Sequence, residues 1–400
     1  MDMSTNTRTV AIAFMEYPHT QLPFADSDIE ALHEQGFNVI TIALRGHHFI
    51  GGGISSPWYI ARNFFSAEAM DIMMSIGWSG VRQIFFNGDQ PLDAFKVAVL
   101  LPRALVAACY LRRKKVNHLH LFWGHYPSVL GIAWKLLDDG HRLTISLGAY
   151  DLEKKLRLSE TCASIADKVT THSDFNRRRL ISEWGLNSEK VVTIYRGVNL
   201  QLFTSSADGG LRSNQFRVIS VGRLIREKNL DLTLHLFAAL RATKSSACLE
   251  VAGIGPDLRR LERIAETKGL TGHIKFMGHL SHDKLGELMR SARLMIFTSV
   301  KRGEILPNAI KEAMACGVVP VVLRHPAIDE LIDDGIDGFL MSQGESLEAV
   351  VEKIVSSDLS VMSIRARQKI NSKFDRVEAA AKFASICSEI DRQSESAQNN

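Results

Sequence analysis

Twelve short runs of β-branched and other apolar residues alternate with helix-patterned stretches along the 400-residue chain. That alternation constrains the fold more than any other feature. The runs fall at 9–14, 37–43, 117–122, 142–147, 168–172 and 191–195, then at 216–221, 247–252, 273–277, 293–298, 318–323 and 338–341. Between them lie segments such as 229–243, where Leu230, Leu234, Phe237 and Arg241 recur at helical spacing. Strands apolar on both faces and separated by helices predict parallel sheets covered on both sides. The rhythm breaks once, at TSSADGGLRSN (204–214), a Ser/Gly/Asp-rich stretch without period that reads as a linker. The expected organisation is an α/β chain of two doubly wound, Rossmann-like domains, 1–203 and 212–374. A final helix then covers 375–392, and a frayed tail 393–400.

Composition narrows the function classes. Apolar residues at 46% and charged residues at 23% are ordinary for globular domains and exclude a disordered chain. Lys plus Arg number 48 against 44 Asp plus Glu, and each half carries about +2. So even a balance argues against a nucleic-acid binder, which concentrates its positive charge. The five cysteines stand more than fifty residues apart with no CxxC pair, which argues against disulfides and zinc knuckles and fits a reducing cytoplasm. The N-terminus lacks the basic region of a signal peptide, and 95–111, interrupted by Pro102 and Arg103, is too short and too charged to span a bilayer.

Three loops carry candidate chemistry. In SVKRGEILPNAIKEAMACGVVPVV (299–322) a strand feeds a short loop holding Glu304, and a helix is expected over about 307–316, started by Pro307 and stopped by Gly317. A helix start at the end of a parallel strand offers free N–H groups and positive potential. Glu304 and Glu312 there could accept hydrogen bonds from sugar or ribose hydroxyls. In ISVGRLIREKNL (219–230), Gly222 permits close backbone approach, and Arg223 and Lys228 make a plausible diphosphate clamp. In EVAGIGPDLRRL (250–261), Gly253 and Gly255 fit a dinucleotide fingerprint, but Leu258 stands at its third glycine, which disfavours NAD. Taken singly, each loop also reads as solvated surface.

Taken together, VGRLIREKN, AGIGPDL, IKFMGHL and EILPNAIKEAMACGVVPVV resemble the nucleotide-sugar glycosyltransferases of family four, of the two-domain GT-B architecture. The resemblance is strong over about 190–392 and loose before that, through VNHLHLFWGH, GAYDL and the opening strand. It is nearest to members that build exopolysaccharide. It implies a retaining transferase with donor binding on the C-terminal half and acceptor binding on the N-terminal half, across a cleft. Arg223 and Lys228 would hold the donor diphosphate and Glu304 the sugar hydroxyls. The loop backbone of Ile305, Leu306, Pro307 and Asn308 would assist, Glu312 would hold the ribose, and Met277 and Gly278 would border the base. Asp151 would face sugar or acceptor from the other domain. The resemblance implies no metal and no cofactor, and a glycan or lipid-linked acceptor. The cysteine usage places the chain in the cytoplasm, and the basic run RRKK (112–115) would allow peripheral docking on the inner face of the membrane. The sequence departs from the pattern at Gly148, where the family has a sugar-contacting histidine for which His125 or His172 could substitute. It departs also at Asn229, at Ile305, and at Pro326-Ala327 in place of Gly-Gly. Those departures leave open a nucleotide-sugar-binding subunit without transfer activity, or a GT-B epimerase.

Other features are less specific. His118 and His120 alternate along one strand, but no third metal ligand is evident, so packing or an acceptor-facing role is expected. RRKK (112–115) reads either as a solvated helix end or as a membrane-surface patch, which RRR (177–179) would join. Gly51–Gly53 reads as an acceptor-side loop and Cys316 as buried packing.

Overall fold

The alternation becomes two parallel six-stranded sheets in a computed structural model of the chain. The structure describes residues 8–17, 23–45, 91–137, 140–205, 215–301 and 303–398, with scattered positions between 60 and 74. The triple glycine at 51–53 and most of the expected linker, 206–214, lie outside them.

The first sheet holds β1 (Thr9–Glu16), β2 (Asn38–Arg45), β3 (His118–Leu121), β4 (Arg142–Leu147), β5 (Lys168–Thr171) and β6 (Val191–Thr193), in the order β2-β1-β3-β4-β5-β6. Its helices include α1 (Pro23–Glu34), α2 (Pro91–Arg113), α3 (Pro127–Leu137), α4 (Ala149–Lys154), α5 (Arg157–Ile165) and α6 (Asp174–Trp184). Successive residues of β1 serve opposite faces. Ala11 and Ala13 join a core built with α2, α3 and α5, while Val10, Ile12 and Phe14 join a second core with α1.

The second sheet holds β7 (Phe216–Val221), β8 (Ala247–Ala252), β9 (Ile274–Gly278), β10 (Leu294–Phe297), β11 (Val319–Leu323) and β12 (Phe339–Met341), in the order β12-β11-β10-β7-β8-β9. Around it lie α7 (Leu230–Thr243), α8 (Leu258–Thr267), α9 (His282–Ser291), α10 (Asn308–Ala315), α11 (Leu347–Ser356) and α12 (Leu359–Lys373). Val218 packs toward α7 and α8, and its neighbour Ile219 toward α9, α10 and α12.

The compact units are Met1–Ile194 with Val377–Asn400, and Tyr195–Arg376. The second therefore begins earlier than the composition break near 204 suggests. Val198 and Phe203 bury their side chains in the core around α10 and α12, and Val198 exchanges backbone hydrogen bonds with Phe374 and Arg376 at 2.7 and 3.2 Å. The last helix, α13 (Arg376–Gln398), returns to the first unit, where Ala380, Phe383 and Cys387 close the β1–α1 core. It runs on through the expected tail as far as Gln398, in a stretch of Ser, Glu, Ala and Gln that holds no glycine or proline to stop it. Likewise α2 passes through Pro102 without ending. No helix among the described residues is long and apolar enough to cross a membrane.

Candidate functional site

In a doubly wound sheet, ligands bind beyond the carboxyl ends of the strands where the strand order reverses. In the second unit that point lies between β7 and β10, with β8 beyond one and β11 beyond the other. The loops leaving β7 and β10 carry Arg223 and Lys228, and Glu304. The two loops are tied together by backbone and hydroxyl groups. Val300 N–H donates to the Glu227 carbonyl (2.9 Å), and Thr298 Oγ1 donates to the Asn229 carbonyl (2.8 Å) and meets Thr233 Oγ1 (2.8 Å). Lys228 closes a single 3-10 turn, and Asn229 takes the left-handed conformation (φ 49°) that starts α7.

This scaffold brings Lys228 and Glu304 into a direct ion pair, both side chains largely buried. Lys228 Nζ donates to Glu304 Oε1, and its ammonium stands 5.0 Å from the centre of the Phe297 ring. The Ser299 hydroxyl donates to Glu304 Oε2 at 2.5 Å. Ser299 was not singled out from sequence. Its signal was its place two residues past β10, where strand-end residues of a parallel sheet face ligand. Arg223 is exposed on the β7 loop, and Glu312 sits one turn along α10. Burial pushes the Glu312 carboxyl up to about 7 against the pull of the adjacent Lys311 charge.

Of the four residues expected to offer backbone N–H groups, Ile305, Leu306 and Asn308 donate to nothing among the described residues. Pro307 cannot serve, since it has no N–H. It occupies the cap position before α10 rather than the first turn, its carbonyl accepting from Ile310 at 3.2 Å. The glycines after β8 act on their neighbour loop. Gly253 has φ 147°, and a Cβ there would overlap the Gly222 carbonyl; one at Gly255 would overlap the Leu224 backbone. Leu224 N–H donates to the Ile254 carbonyl (2.9 Å), and Gly253 N–H to that of Gly278 (2.8 Å). Met277 packs partly against the core. The strand-end loops of β7, β8 and β9 are thus one knit surface.

In the first unit the order reverses between β1 and β3, and the β3 loop carries His125 with φ 60°. Asp151, expected to face a substrate, is instead 3% exposed. Its Oδ2 accepts from Gly148 N–H (3.2 Å) and its Oδ1 from the Ser159 hydroxyl (2.9 Å); Ser159 in turn accepts from His125 N–H (2.5 Å). A Cβ on Gly124 would overlap both Ser159 Oγ and Asp151 Oδ1. Asp151 therefore fastens the His125 loop to the start of α4, and burial pushes its carboxyl up to about 6. Gly148 is the residue that caps α4.

His118 and His120 are core residues. Both share Thr144 Oγ1, at 2.9 and 2.8 Å, and Phe383 of α13 covers them. No cluster of three metal-ligating side chains occurs among the described residues. RRKK ends α2 exposed to solvent. RRR is largely engaged: Arg177 donates to the Val191 and Ser188 carbonyls, and Arg179 pairs with Glu183 and Glu153. Cys316 is buried, and none of the five cysteines is in a disulfide.

Residues 203–373 match the family model "Glycosyl transferases group 1". The chain is 25% identical over 308 residues to the amylovoran biosynthesis glycosyltransferase AmsK of Erwinia amylovora, covering 72% of this chain and 73% of that protein. It is 27% identical over 235 residues to the putative colanic acid biosynthesis glycosyltransferase WcaL of Salmonella typhimurium, covering 56% of this chain and 57% of that protein. The chain spans little more than half the length of several of the curated relatives it matches. Its fold resembles that of Anabaena HepE, crystallised with UDP-glucose, at a TM-score of 0.67 and 18% identity over 95% of this chain and 99% of that one.

Proposed function

We propose that this chain is a group 1 glycosyltransferase of the family-four type, as the match of residues 203–373 to that family model supports, and that it transfers a sugar, with retention of anomeric configuration, from a nucleotide-diphosphate donor to a glycan or lipid-linked acceptor. The relatives that assemble amylovoran and colanic acid favour a surface-polysaccharide product. The observation that carries the reading is the Lys228–Glu304 pair at the strand-order reversal beside α10. One member is suited to phosphate and the other to hydroxyls.

In the reaction, the Lys228 ammonium and the open N–H groups of Ile305, Leu306 and Asn308 meet the diphosphate. Negative charge grows there as the glycosyl–phosphate bond breaks, so these donors stabilise the transition state more than the ground state. Arg223 reaches the same group from the exposed side of its loop. Glu304 accepts from the sugar's hydroxyls and Glu312 from the ribose. Acceptor recognition falls to the His125 loop of the first unit, and the exposed RRKK end of α2 supplies a cationic face for the inner membrane surface.

Removing one such donor costs on the order of 3 kcal/mol of barrier, about a hundredfold in rate. Lys228→Ala is expected to lose at least that much nucleotide release while keeping its circular dichroism and melting temperature. Near-normal turnover in the folded variant would refute the assignment. Because protein cations and the α10 terminus do the work of a divalent ion, EDTA is expected to leave turnover within about twofold; a larger loss restored by magnesium or manganese overturns that part. Gly148, lacking the family's histidine, favours one alternative, a donor-binding subunit. Nucleotide binding without turnover across UDP-, GDP- and ADP-sugars would identify it.

A further inference from the structure

The loop after β11, where the family commonly has Gly-Gly, here reads Arg324-His325-Pro326-Ala327. β11 pairs with β10 in parallel register, Val322 opposite Phe297, so this loop emerges beside the one that carries Glu304. His325 Nδ1 lies 3.2 Å from the Pro326 carbonyl oxygen. A carbonyl can only accept, so Nδ1 carries the proton and Nε2 of the neutral ring presents a lone pair. Nε2 is buried and has no hydrogen-bond partner among the described residues. Buried polar atoms are rarely left in that state without a reason.

Its surroundings say what it lacks. The charges of Glu304 and Lys228, the pair at the heart of the site, act on the ring together with that of Asp329, and burial holds the imidazole below its usual pKa. Asp329 is occupied by Arg324 and Lys228 by Glu304. What remains is an acceptor nitrogen within electrostatic reach of an acceptor carboxylate on the neighbouring loop. A phosphate oxygen, itself an acceptor, satisfies neither. Sugar hydroxyls satisfy both.

We propose that His325 is a specificity-determining residue for the donor sugar, its Nε2 accepting a hydrogen bond from one hydroxyl while Glu304 accepts from another. This rests on the nucleotide-sugar reading above. It differs from that reading in assigning the recognition of a particular hydroxyl to a residue the family pattern does not supply.

Calorimetric titration of the full chain with UDP, GDP and ADP, and with UDP-glucose, UDP-galactose, GDP-mannose and ADP-glucose, tests it. The quantity of interest is the ratio of affinities between a sugar nucleotide and its bare diphosphate. His325→Ala is expected to lower affinity for the preferred sugar nucleotide about tenfold while leaving the bare diphosphate within about twofold, one lost hydrogen bond in a buried site. His325→Gln, whose Oε1 reaches the Nε2 position, should retain most of the ratio, and His325→Asn, which is too short, should not. That contrast also serves if the alanine variant fails to fold. Equal losses for both ligands, or no change in either, would overturn the assignment. Wild-type protein that binds none of the panel would bring down the nucleotide-sugar reading, and this proposal with it.

Discussion

Asp151 shows how a residue expected at a site is held by bonds within the scaffold. The family resemblance assigns Asp151, third residue of a short helix near the end of β4, to sugar or acceptor. In the structure its oxygens hold Gly148 N–H and the Ser159 hydroxyl, and through Ser159 the His125 backbone. Buried, it ionises at about 6, against 3.8 ordinarily. The folded state therefore keeps a proton that the unfolded chain has already released between those values, so this carboxyl lowers stability as pH rises through the window. Asp151→Asn removes the titration. An amide can accept from Gly148 through Oδ1 and donate to Ser159 through Nδ2. Relative to wild type, the variant should gain about 3 kcal/mol between pH 4 and pH 7 and nothing above. Denaturant unfolding at three pH values measures it, and parallel profiles for the two proteins would show that Asp151 does not titrate this way.

At the scale of elements, what was legible was periodic. All twelve strands stand where β-branched runs predict them, and the helix after Glu304 falls within a residue of expectation. Local chemistry sets these boundaries. What was not legible depended on partners distant in sequence. Nothing local to 195–203 says that Val198 and Phe203 belong to the second core, and nothing in AGIGPDL says that its glycines serve the neighbouring loop. Ser299 and His325 escaped notice for the same reason, since a serine and a histidine past a strand acquire meaning only beside Glu304. The glycine case is open to measurement. Gly253→Ala combines a strained φ with a Cβ pressed into the Gly222 carbonyl, and should cost about 3 kcal/mol while shifting the Lys228 loop enough to weaken nucleotide binding. Gly272, also at positive φ (83°) but with open space around it, should lose only about 1 kcal/mol on the same change and bind normally. If the two variants proved alike in stability and binding, the close approach of the β7 and β8 loops would not be what demands glycine.

At the scale of the whole molecule, the two units should respond to acid differently, and the first unit's response should be set by two histidines far from the proposed chemistry. His118 and His120 point to the α13 side of the first sheet, joined to Thr144, with Ser146 and Thr170 continuing the polar ladder across β4 and β5. This is what the HLH run became: a satisfied polar seam within an apolar core, sealed by Phe383 of the returning helix. Burial lowers the two imidazoles to about 4 and about 3, from 6.5. Each stays neutral in the folded protein while it would charge in the unfolded chain, so its contribution is complete above 6.5 and lost as pH falls. By pH 5 the unfolded chain has gained about 1.5 pKa units of protonation free energy at each site. The pair should therefore cost about 4 kcal/mol relative to pH 7.5, a large share of the 5–15 kcal/mol typical of a domain. This opposes and exceeds the Asp151 effect, whose sign is reversed over the same range. Glu312 of the second unit, raised to about 7, gains about 3 kcal/mol over the same fall, so the acid loss should fall on the first unit. The double variant His118→Gln, His120→Asn should flatten that unit's profile, because amides keep bonds to the hydroxyls without titrating. Hydrogen exchange at pH 5 should locate the loss in the first unit, in β3, β4 and α13, with the strands of the second unit protected as at neutral pH. Uniform loss of protection across both units, or a double variant as acid-sensitive as wild type, would assign the sensitivity to other groups.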